Sequence, residues 1–113
     1  SPDGSERWLT WIVQLIECST SIGYVQATVK NGEADIAWLI GVEWQGQGYA
    51  TEAVRSLGHW LSENHINSIT ARIHPDHTAS QRLAKHLNMR NTGLFREGEE
   101  IWCSKKSTFE RVS

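Results

Sequence analysis

The stretch Val42-Glu43-Trp44-Gln45-Gly46-Gln47-Gly48-Tyr49-Ala50-Thr51-Glu52-Ala53 decides the fold of this chain. An apolar run at 36–42 precedes it, and residues 50, 53, 54, 57 and 61 have the apolar spacing of one helix face. The pattern predicts a strand, a tight turn at the two glycines, and a helix. Glycine lets the backbone approach a ligand closely, and a helix start presents unpaired N–H groups to anions. The turn is either an anion site, for which phosphate is the usual ligand, or a connector whose glycines serve only the bend.

The spacing of the turn narrows these choices. Residues 45–50, Gln-Gly-Gln-Gly-Tyr-Ala, fit the pattern Q/R-x-x-G-x-G/A and resemble the cofactor loop of the GNAT family of N-acetyltransferases. The dinucleotide fingerprint G-x-G-x-x-G does not fit because position 51 is Thr, and the chain has no Walker A triplet. The continuation 49–53 is similar to the ribosomal-protein-alanine N-acetyltransferase subgroup. In this family the loop N–H groups hold the pyrophosphate of acetyl-CoA.

Residue patterns elsewhere predict further strands and one more helix. We expect strands at 8–17, 22–29, 34–42, 68–73, 90–95 and 99–109, and helices at 49–63 and 79–87. Lys30-Asn31-Gly32-Glu33 is a hairpin signal, and Asn88 is expected to end the second helix in a left-handed conformation. The third strand lacks charge over 36–42, which predicts a central strand covered on both faces. A helix separates the third and fourth strands, so the two can pair in parallel.

This order of elements resembles the GNAT fold from its second strand onward. The resemblance covers 8–109 and implies an α/β, single-domain acyl-CoA N-acyltransferase fold over residues 1–113. That fold has a mixed, mostly antiparallel sheet, a central parallel βαβ unit and helices on its faces. The opening strand and first two helices of the family are absent, so we expect an N-terminally truncated version, either naturally short or a fragment. Trp8, Trp11 and Ile12 would then be uncovered, and we expect a partner chain there, such as a second copy in a homodimer.

Composition limits the classes of partner. The 113 residues suit one small domain, and a net charge of −2 with no basic tract argues against nucleic acid. No apolar run is long enough to cross a membrane and no signal-peptide pattern opens the sequence. Cys18 and Cys103 lie far apart, so we expect reduced core thiols and a cytoplasmic location, although a bridge between them stays open.

The resemblance implies acetyl-CoA as co-substrate and no metal. N–H groups near Gly41 and Val42 would bond the thioester oxygen and the pantetheine, in a wedge where the third and fourth strands splay apart. His77 stands where the family has an Asn that bonds pantetheine, so affinity would depend on the imidazole tautomer and on pH. The implied cofactor-binding residues are Ile40, Gly41, Val42, Gln45, Gly46, Gln47, Gly48, Tyr49, Ala50, Thr51, His77 and Ser80.

Acetyl transfer to an amine needs a base, an oxyanion donor and stabilisation of the leaving thiolate. A family tyrosine often serves the thiolate, but Ala84 stands at its position. Ser80 matches a serine that serves this role in the resembling subgroup, unless it only caps its helix. Asp35 matches the position where many members carry a glutamate base, unless it is a solvated strand end. Alternative bases are Glu33, Glu43 and His74.

We therefore expect an N-acetyltransferase that moves acetyl directly to a primary amine, either a protein N-terminus or a small amine. Direct transfer is expected because no cysteine is placed as an acyl carrier. A non-catalytic CoA-binding regulatory or scaffold module is the alternative that Ala84 and His77 favour, and a nucleotide protein stabilised by ATP is a third. Arg82 and Lys85 either meet the 3′-phosphate of CoA or form a solvated face.

Overall fold

The computed structural model describes residues 6–66 and 68–104. These form one six-stranded mixed sheet in the order β1-β2-β3-β4-β6-β5, with two α-helices and a 3₁₀ turn at Val42–Trp44. The α/β class and the predicted order of strands and helices are therefore confirmed. The elements are β1 (Arg7–Gln14), β2 (Ser21–Lys30), β3 (Glu33–Ile40), α1 (Tyr49–Glu63), β4 (Ser68–Ile73), α2 (Thr78–His86), β5 (Met89–Arg96) and β6 (Glu99–Ser104).

The first three strands form an antiparallel meander. β2 and β3 pair from Lys30↔Glu33 onward, and the two residues between them, Asn31 and Gly32, both have positive φ values, of 56° and 79°. Two successive left-handed residues are what a two-residue hairpin turn requires. The predicted hairpin is therefore confirmed, together with its register.

β3 and β4 are parallel neighbours, as predicted, but only over a short length. Their pairing runs from Glu33↔Ser68 to Ile36↔Ala71 and stops. β3 continues beside β2 as far as Ile40, while β4 continues beside β6 as far as Ile73. The two central strands therefore separate in their second halves, as predicted.

Both helices pack on the same side of the sheet, which we call the covered face. Cross-strand rows such as Ala27–Ile36–Ala71–Trp102 lie on this face and are buried. Leu57 and Leu61 of α1 join the same buried cluster, as does Leu83 of α2. Burial of these apolar side chains supplies the main favourable free energy of folding.

The opposite side, which we call the open face, has no helix over it within residues 6–66 and 68–104. Trp8 is 78% exposed and Ile12 is 60% exposed, and Leu39 in the middle of the sheet is 51% exposed. The prediction that the third strand is covered on both faces, with helices on both, is therefore wrong. Lack of charge on Ala37 and Leu39 did not indicate burial, because side chains alternate between the faces and only one face meets the helices.

The first strand is shorter than predicted. It ends at Gln14, and the following residues form a turn in which the Ser19 N–H donates to the Leu15 carbonyl at 2.8 Å. Alternation also separates Trp11 from Trp8 and Ile12. The Trp11 ring lies on the covered face, 5.3 Å from the Trp60 ring of α1 in an edge-to-face contact. Only Trp8 and Ile12 of the predicted uncovered group are exposed.

The remaining boundaries agree within a residue or two, and the difference that concerns the candidate site is at the end of β3. β3 ends at Ile40 rather than Val42, because Gly41 makes the last hydrogen bond to β2 and Val42 begins the 3₁₀ turn with 85% of its surface exposed. Asn88 is left-handed, with φ 65°, as predicted. The predicted end of the last strand beyond Ser104, and the predicted frayed residues 1–5, lie outside the described residues.

Neither cysteine forms a disulfide in the described residues. Cys18 is exposed, so its prediction as a core thiol is wrong, and Cys103 is half-buried. No helix over residues 6–66 and 68–104 has the length and hydropathy needed to span a membrane.

Candidate functional site

A cavity of about 320 Å³, which we call the loop cavity, lies at the C-terminal end of β3, between the starts of α1 and α2. It forms because β3 and β4 no longer pair there and the glycine turn passes over the end of β3. Its lining residues are Trp38, Leu39, Ile40, Trp44, Gln45, Gly46, Gly48, Tyr49, Ala50, Thr51, His77, Ala79, Ser80, Arg82, Leu83 and His86.

The glycine turn has a conformation that explains its residue types. Gly46 and Gly48 have φ values of +80° and +87°, which L side chains rarely adopt. A Cβ built on either glycine would meet no heavy atom within 4 Å, so the space beside both is open. The Gln45 side-chain amide donates to the Ile40 carbonyl at 2.8 Å and ties the turn back to the end of β3.

The turn leaves a run of main-chain donors without protein acceptors. The Gln45 N–H donates to the Val42 carbonyl, and the Glu52 N–H opens the helix by donating to the Gly48 carbonyl. Between them, the amides of residues 46 to 51 donate to no protein group within the described chain. The first of these belong to the turn and the last to the first turn of α1, where the helix dipole is positive. This segment fits an anion with several oxygens.

The end of β3 supplies donors at positions other than those predicted. The Gly41 N–H already donates to the Ile22 carbonyl on β2 at 2.8 Å, so it is not available to a thioester oxygen. Successive residues of a strand turn their N–H groups to opposite sides. The N–H groups of Trp38 and Ile40 therefore face the gap beside β4, whereas the prediction assigned these donors to the region of Gly41 and Val42.

Ser80 lies at the inner wall of the loop cavity. It is the third residue of α2 and only 6% exposed, and its Oγ accepts a hydrogen bond from the indole Nε1–H of Trp38 at 3.1 Å. His77 is the N-cap residue of α2, and the start of that helix has no side-chain cap bond. Ser80 is therefore not a helix cap, which removes the simpler of its two interpretations.

Asp35 lies elsewhere. Its side chain is on the open face, where it accepts a hydrogen bond from Thr70 Oγ1 at 3.2 Å, with the Arg72 guanidinium 3.9 Å away. It lines a second cavity of about 390 Å³, which we call the open-face cavity. The structure does not bring Asp35 and Ser80 into one cavity. Asp35 does immediately precede Ile36, at the last β3–β4 pair, where the gap between the strands begins.

The other candidate bases are also outside the loop cavity. Glu33 lines the open-face cavity with Asp35, and Glu43 lies in the 3₁₀ turn. His74 is exposed, and its Nδ1 accepts the backbone N–H of Asp76 at 3.0 Å.

Most of the predicted cofactor residues line the loop cavity, and three do not. Gly41, Val42 and Gln47 are outside it. Trp38, Leu39, Ala79, Leu83 and His86 line it but were not predicted. For α2 the signal was present, because residues 79, 82, 83 and 86 share one helix face. Tyr49, predicted to meet phosphate or to pack, lies edge-on to Trp44 at 6.4 Å.

The loop cavity has the electrostatics of an anion site. None of its lining residues is acidic, whereas Arg82, His77 and His86 can each carry positive charge. Lys85, paired with Arg82 in the prediction, does not line it. No group of three His, Cys, Asp or Glu side chains positioned to hold a metal occurs in the described part of the chain.

Comparison with known proteins identifies relatives of this architecture. Residues 2–90 match the family model described as an acetyltransferase (GNAT) domain. The chain is 32% identical over 97 residues to the uncharacterized N-acetyltransferase p20 of Bacillus licheniformis, a match that covers 85% of this chain and 54% of p20. The chain thus spans about half the length of this curated relative.

Solved structures show the same fold. A domain from Methanocaldococcus jannaschii superposes with a TM-score of 0.79 at 27% identity, over 89% of this chain and 68% of that one. The ribosomal-protein-S5-alanine acetyltransferase of Vibrio fischeri superposes with a TM-score of 0.74 at 18% identity, over 86% and 61% of the two chains. The predicted likeness to that subgroup therefore holds at the level of the fold.

Proposed function

Because the chain belongs to the GNAT acetyltransferase family, we propose that it binds acetyl-CoA in the loop cavity. We propose further that it acts as an N-acetyltransferase, which moves the acetyl group directly to a primary amine. One observation carries the proposal. Residues 46 and 48 to 51, whose amides donate to no protein group in the described chain, line the same cavity as the buried hydroxyl of Ser80. A ligand with a diphosphate at one end and a thioester at the other fits both.

The turn receives the phosphates. Its amides, the positive end of α1 and the open space beside Gly46 and Gly48 suit the pyrophosphate of CoA. Thr51 adds a hydroxyl at the same end of the cavity. Arg82 and His86 lie on one face of α2 and suit the 3′-phosphate. The cavity lining has no acidic side chains, so the polyanionic CoA meets no electrostatic repulsion from carboxylates when it binds.

The gap beside β3 receives the pantetheine and the thioester. The strand-edge N–H groups of Trp38 and Ile40 face this gap and can donate to amide and thioester oxygens. His77 at the start of α2 takes the place of the family asparagine, and its imidazole nitrogens can donate or accept a hydrogen bond with the pantetheine.

Ser80 serves the leaving group. When the amine nitrogen attacks the thioester carbon, the C–N bond forms and the C–S bond breaks, leaving negative charge on sulfur. A buried hydroxyl with a free proton can donate to that sulfur. Ala84, at the position of the family tyrosine, is fully buried in the core and offers no donor. Neither cysteine lines the cavity, which supports direct transfer without an acyl-enzyme.

Asp35 is the proposed base, on one geometric condition. Its carboxylate is on the open face, so it reaches only an amine that enters from that face to the point where β3 and β4 separate. On this proposal the Asp35→Asn variant lowers turnover about 100-fold, the scale of general-base catalysis, while CoA affinity is unchanged. Wild-type turnover in this variant would leave Asp35 as a solvated strand-end residue.

The acceptor class is a protein N-terminus or another small amine. The loop continuation at 49–53, which resembles the ribosomal-protein-alanine subgroup, supports this choice. A panel of N-terminal peptides and small amines with release of free CoA thiol as readout identifies the acceptor.

The test of the proposed function combines binding and turnover. CoA raises the thermal unfolding temperature, and at least one amine in the panel releases free thiol. Ser80→Ala lowers turnover about 100-fold with little change in CoA affinity, whereas Ser68→Ala, at the far end of the sheet, is the matched control and changes neither. CoA stabilisation without thiol release from any amine would indicate a non-catalytic module. Stabilisation by ATP instead of CoA would indicate a nucleotide protein.

A further inference from the structure

Ser80 has a hydrogen-bond geometry whose direction is fixed by its partner. An indole Nε1–H can only donate, so Ser80 Oγ must be the acceptor in its 3.1 Å contact with Trp38. A hydroxyl that accepts in this way keeps its own proton for another acceptor. None of the described residues accepts that proton.

This free donor is deeply buried. Ser80 is 6% exposed and lines the loop cavity. Buried polar hydrogens in folded proteins nearly always have an acceptor, because an unsatisfied one costs free energy. An acceptor for this hydroxyl, either a ligand atom or a water, therefore has to lie in the cavity that Ser80 lines.

Trp38 comes from a different element and is held independently. It belongs to β3, directly opposite Val25 of β2, and its side chain is half-buried on the covered face. Its indole crosses from the sheet to α2, so the bond links residues 42 positions apart in sequence. The Trp38 side chain packs against the core cluster, and its planar indole sets the direction from which Ser80 accepts and thereby the directions left for the hydroxyl proton.

We infer that Trp38 is a positioning residue, whose indole N–H holds the Ser80 hydroxyl as an acceptor so that the hydroxyl proton points to the departing sulfur of CoA. The inference rests on the proposed function. In the balanced step, the amine nitrogen releases one proton as C–N forms and C–S breaks. Ser80 passes its proton to the sulfur and regains one from water, while Asp35, the proposed base, takes the amine proton and returns it to water.

The direct test compares single and double variants in steady-state kinetics. Trp38→Phe keeps the aromatic body but removes the N–H, and we expect kcat to fall about tenfold, less than the roughly 100-fold loss expected when the proton donor itself is removed, with KM for acetyl-CoA nearly unchanged. Adding Trp38→Phe to Ser80→Ala should cause no further loss of kcat, because Trp38 acts through Ser80. Trp11→Phe is the matched control, since Trp11 is on the same face two strands away and should leave both constants unchanged.

A second measurement does not depend on the Trp38→Phe variant folding. The indole N–H resonance of Trp38 should move in Ser80→Ala, where the acceptor is lost, while that of Trp11 should not. An unchanged Trp38 resonance, or wild-type kcat in a folded Trp38→Phe enzyme, would overturn the inference alone. Failure of the wild-type protein to bind CoA or to acetylate any amine would instead overturn the proposed function.

Discussion

The two faces of the sheet use similar residues and have different surroundings. Ile36 and Ile12 are both strand isoleucines, but Ile36 on the covered face is 5% exposed and Ile12 on the open face is 60% exposed. The covered face packs against α1 and α2 to form the core, and the loop cavity lies on the same side of the sheet. The open face carries Trp8, Ile12 and the open-face cavity with Asp35. The strand residues alone therefore do not determine what is buried, because the helices select one face.

The same contrast applies to chemistry. The donors proposed for CoA are main-chain amides and a hydroxyl on the helix side, where no acid lines the cavity. The proposed base is a carboxylate on the other side, beside an arginine. If both act, the sheet separates the thioester from the incoming amine until they meet at the gap between β3 and β4.

The largest effect that we expect is on stability, and it compares matched isoleucines on the two faces. Ile36→Ala should lower the free energy of unfolding by about 2–5 kcal/mol, the cost of a cavity in a packed core. Ile12→Ala should change it by less than about 0.5 kcal/mol, as for an exposed site. Chemical denaturation measures both. Equal losses in the two variants would mean that the open face is covered in solution.

Next in size is a change of CoA affinity that depends on where a glycine lies. Gly48→Trp should weaken CoA binding about 100-fold, by blocking two charge-assisted bonds of about 1.5 kcal/mol each. Gly32→Trp is the control, because Gly32 also has positive φ and open space but lies in the β2–β3 hairpin. Calorimetric titration with CoA measures both affinities. The same affinity in the two variants would remove the turn from the site.

A smaller effect separates two cations on α2. Arg82 lines the loop cavity and Lys85 does not, although both are exposed. Arg82→Gln should weaken CoA binding about two- to fivefold, the scale of an exposed ion pair, and should leave dephospho-CoA binding unchanged. Lys85→Gln should affect neither ligand. An equal loss for CoA and dephospho-CoA in Arg82→Gln would place the 3′-phosphate elsewhere.

The predicted homodimer provides the last test of the difference between the faces. If a second copy covers the exposed Trp8 and Ile12, sedimentation should give twice the mass of the chain, and Ile12→Glu should return it to a monomer. A charge placed in an apolar interface loses its hydration, which disfavours association. A wild-type monomer at every concentration would show that copies of this chain do not cover the open face.

Local patterns in the sequence predicted much of the fold. Period-two strands, the Asn31-Gly32 turn and the helix after Gly48 each have a local physical cause, and each is present. Burial of β3 on both sides was predicted wrongly, because an apolar side chain does not reveal whether a helix packs over it. The extent of β3 was also misjudged, since the 3₁₀ turn is closed by N–H groups of Trp44 and Gln45 that donate to the Gly41 and Val42 carbonyls, and the apolar run over 36–42 did not indicate this turn.

In the candidate site, too, local features could be predicted from the sequence and features that depend on other elements could not. The glycine turn was predictable because two glycines just before a helical pattern permit positive φ values and leave the first N–H groups of the helix open to an anion. The Gly41 N–H was misassigned, because its availability depends on whether β2 extends far enough to accept it, which Ile22 does. The Trp38–Ser80 bond could not be predicted, because it joins a strand to a helix 42 residues away.

The most direct test of the account is a titration of the isotopically labelled protein with CoA, followed through its backbone amide resonances. We predict saturable shifts that are largest at the amides of residues 46 to 51, with Asp35 and Thr28 on the open face nearly unaffected. Largest shifts on the open face, or no saturable shift at the turn, would contradict it.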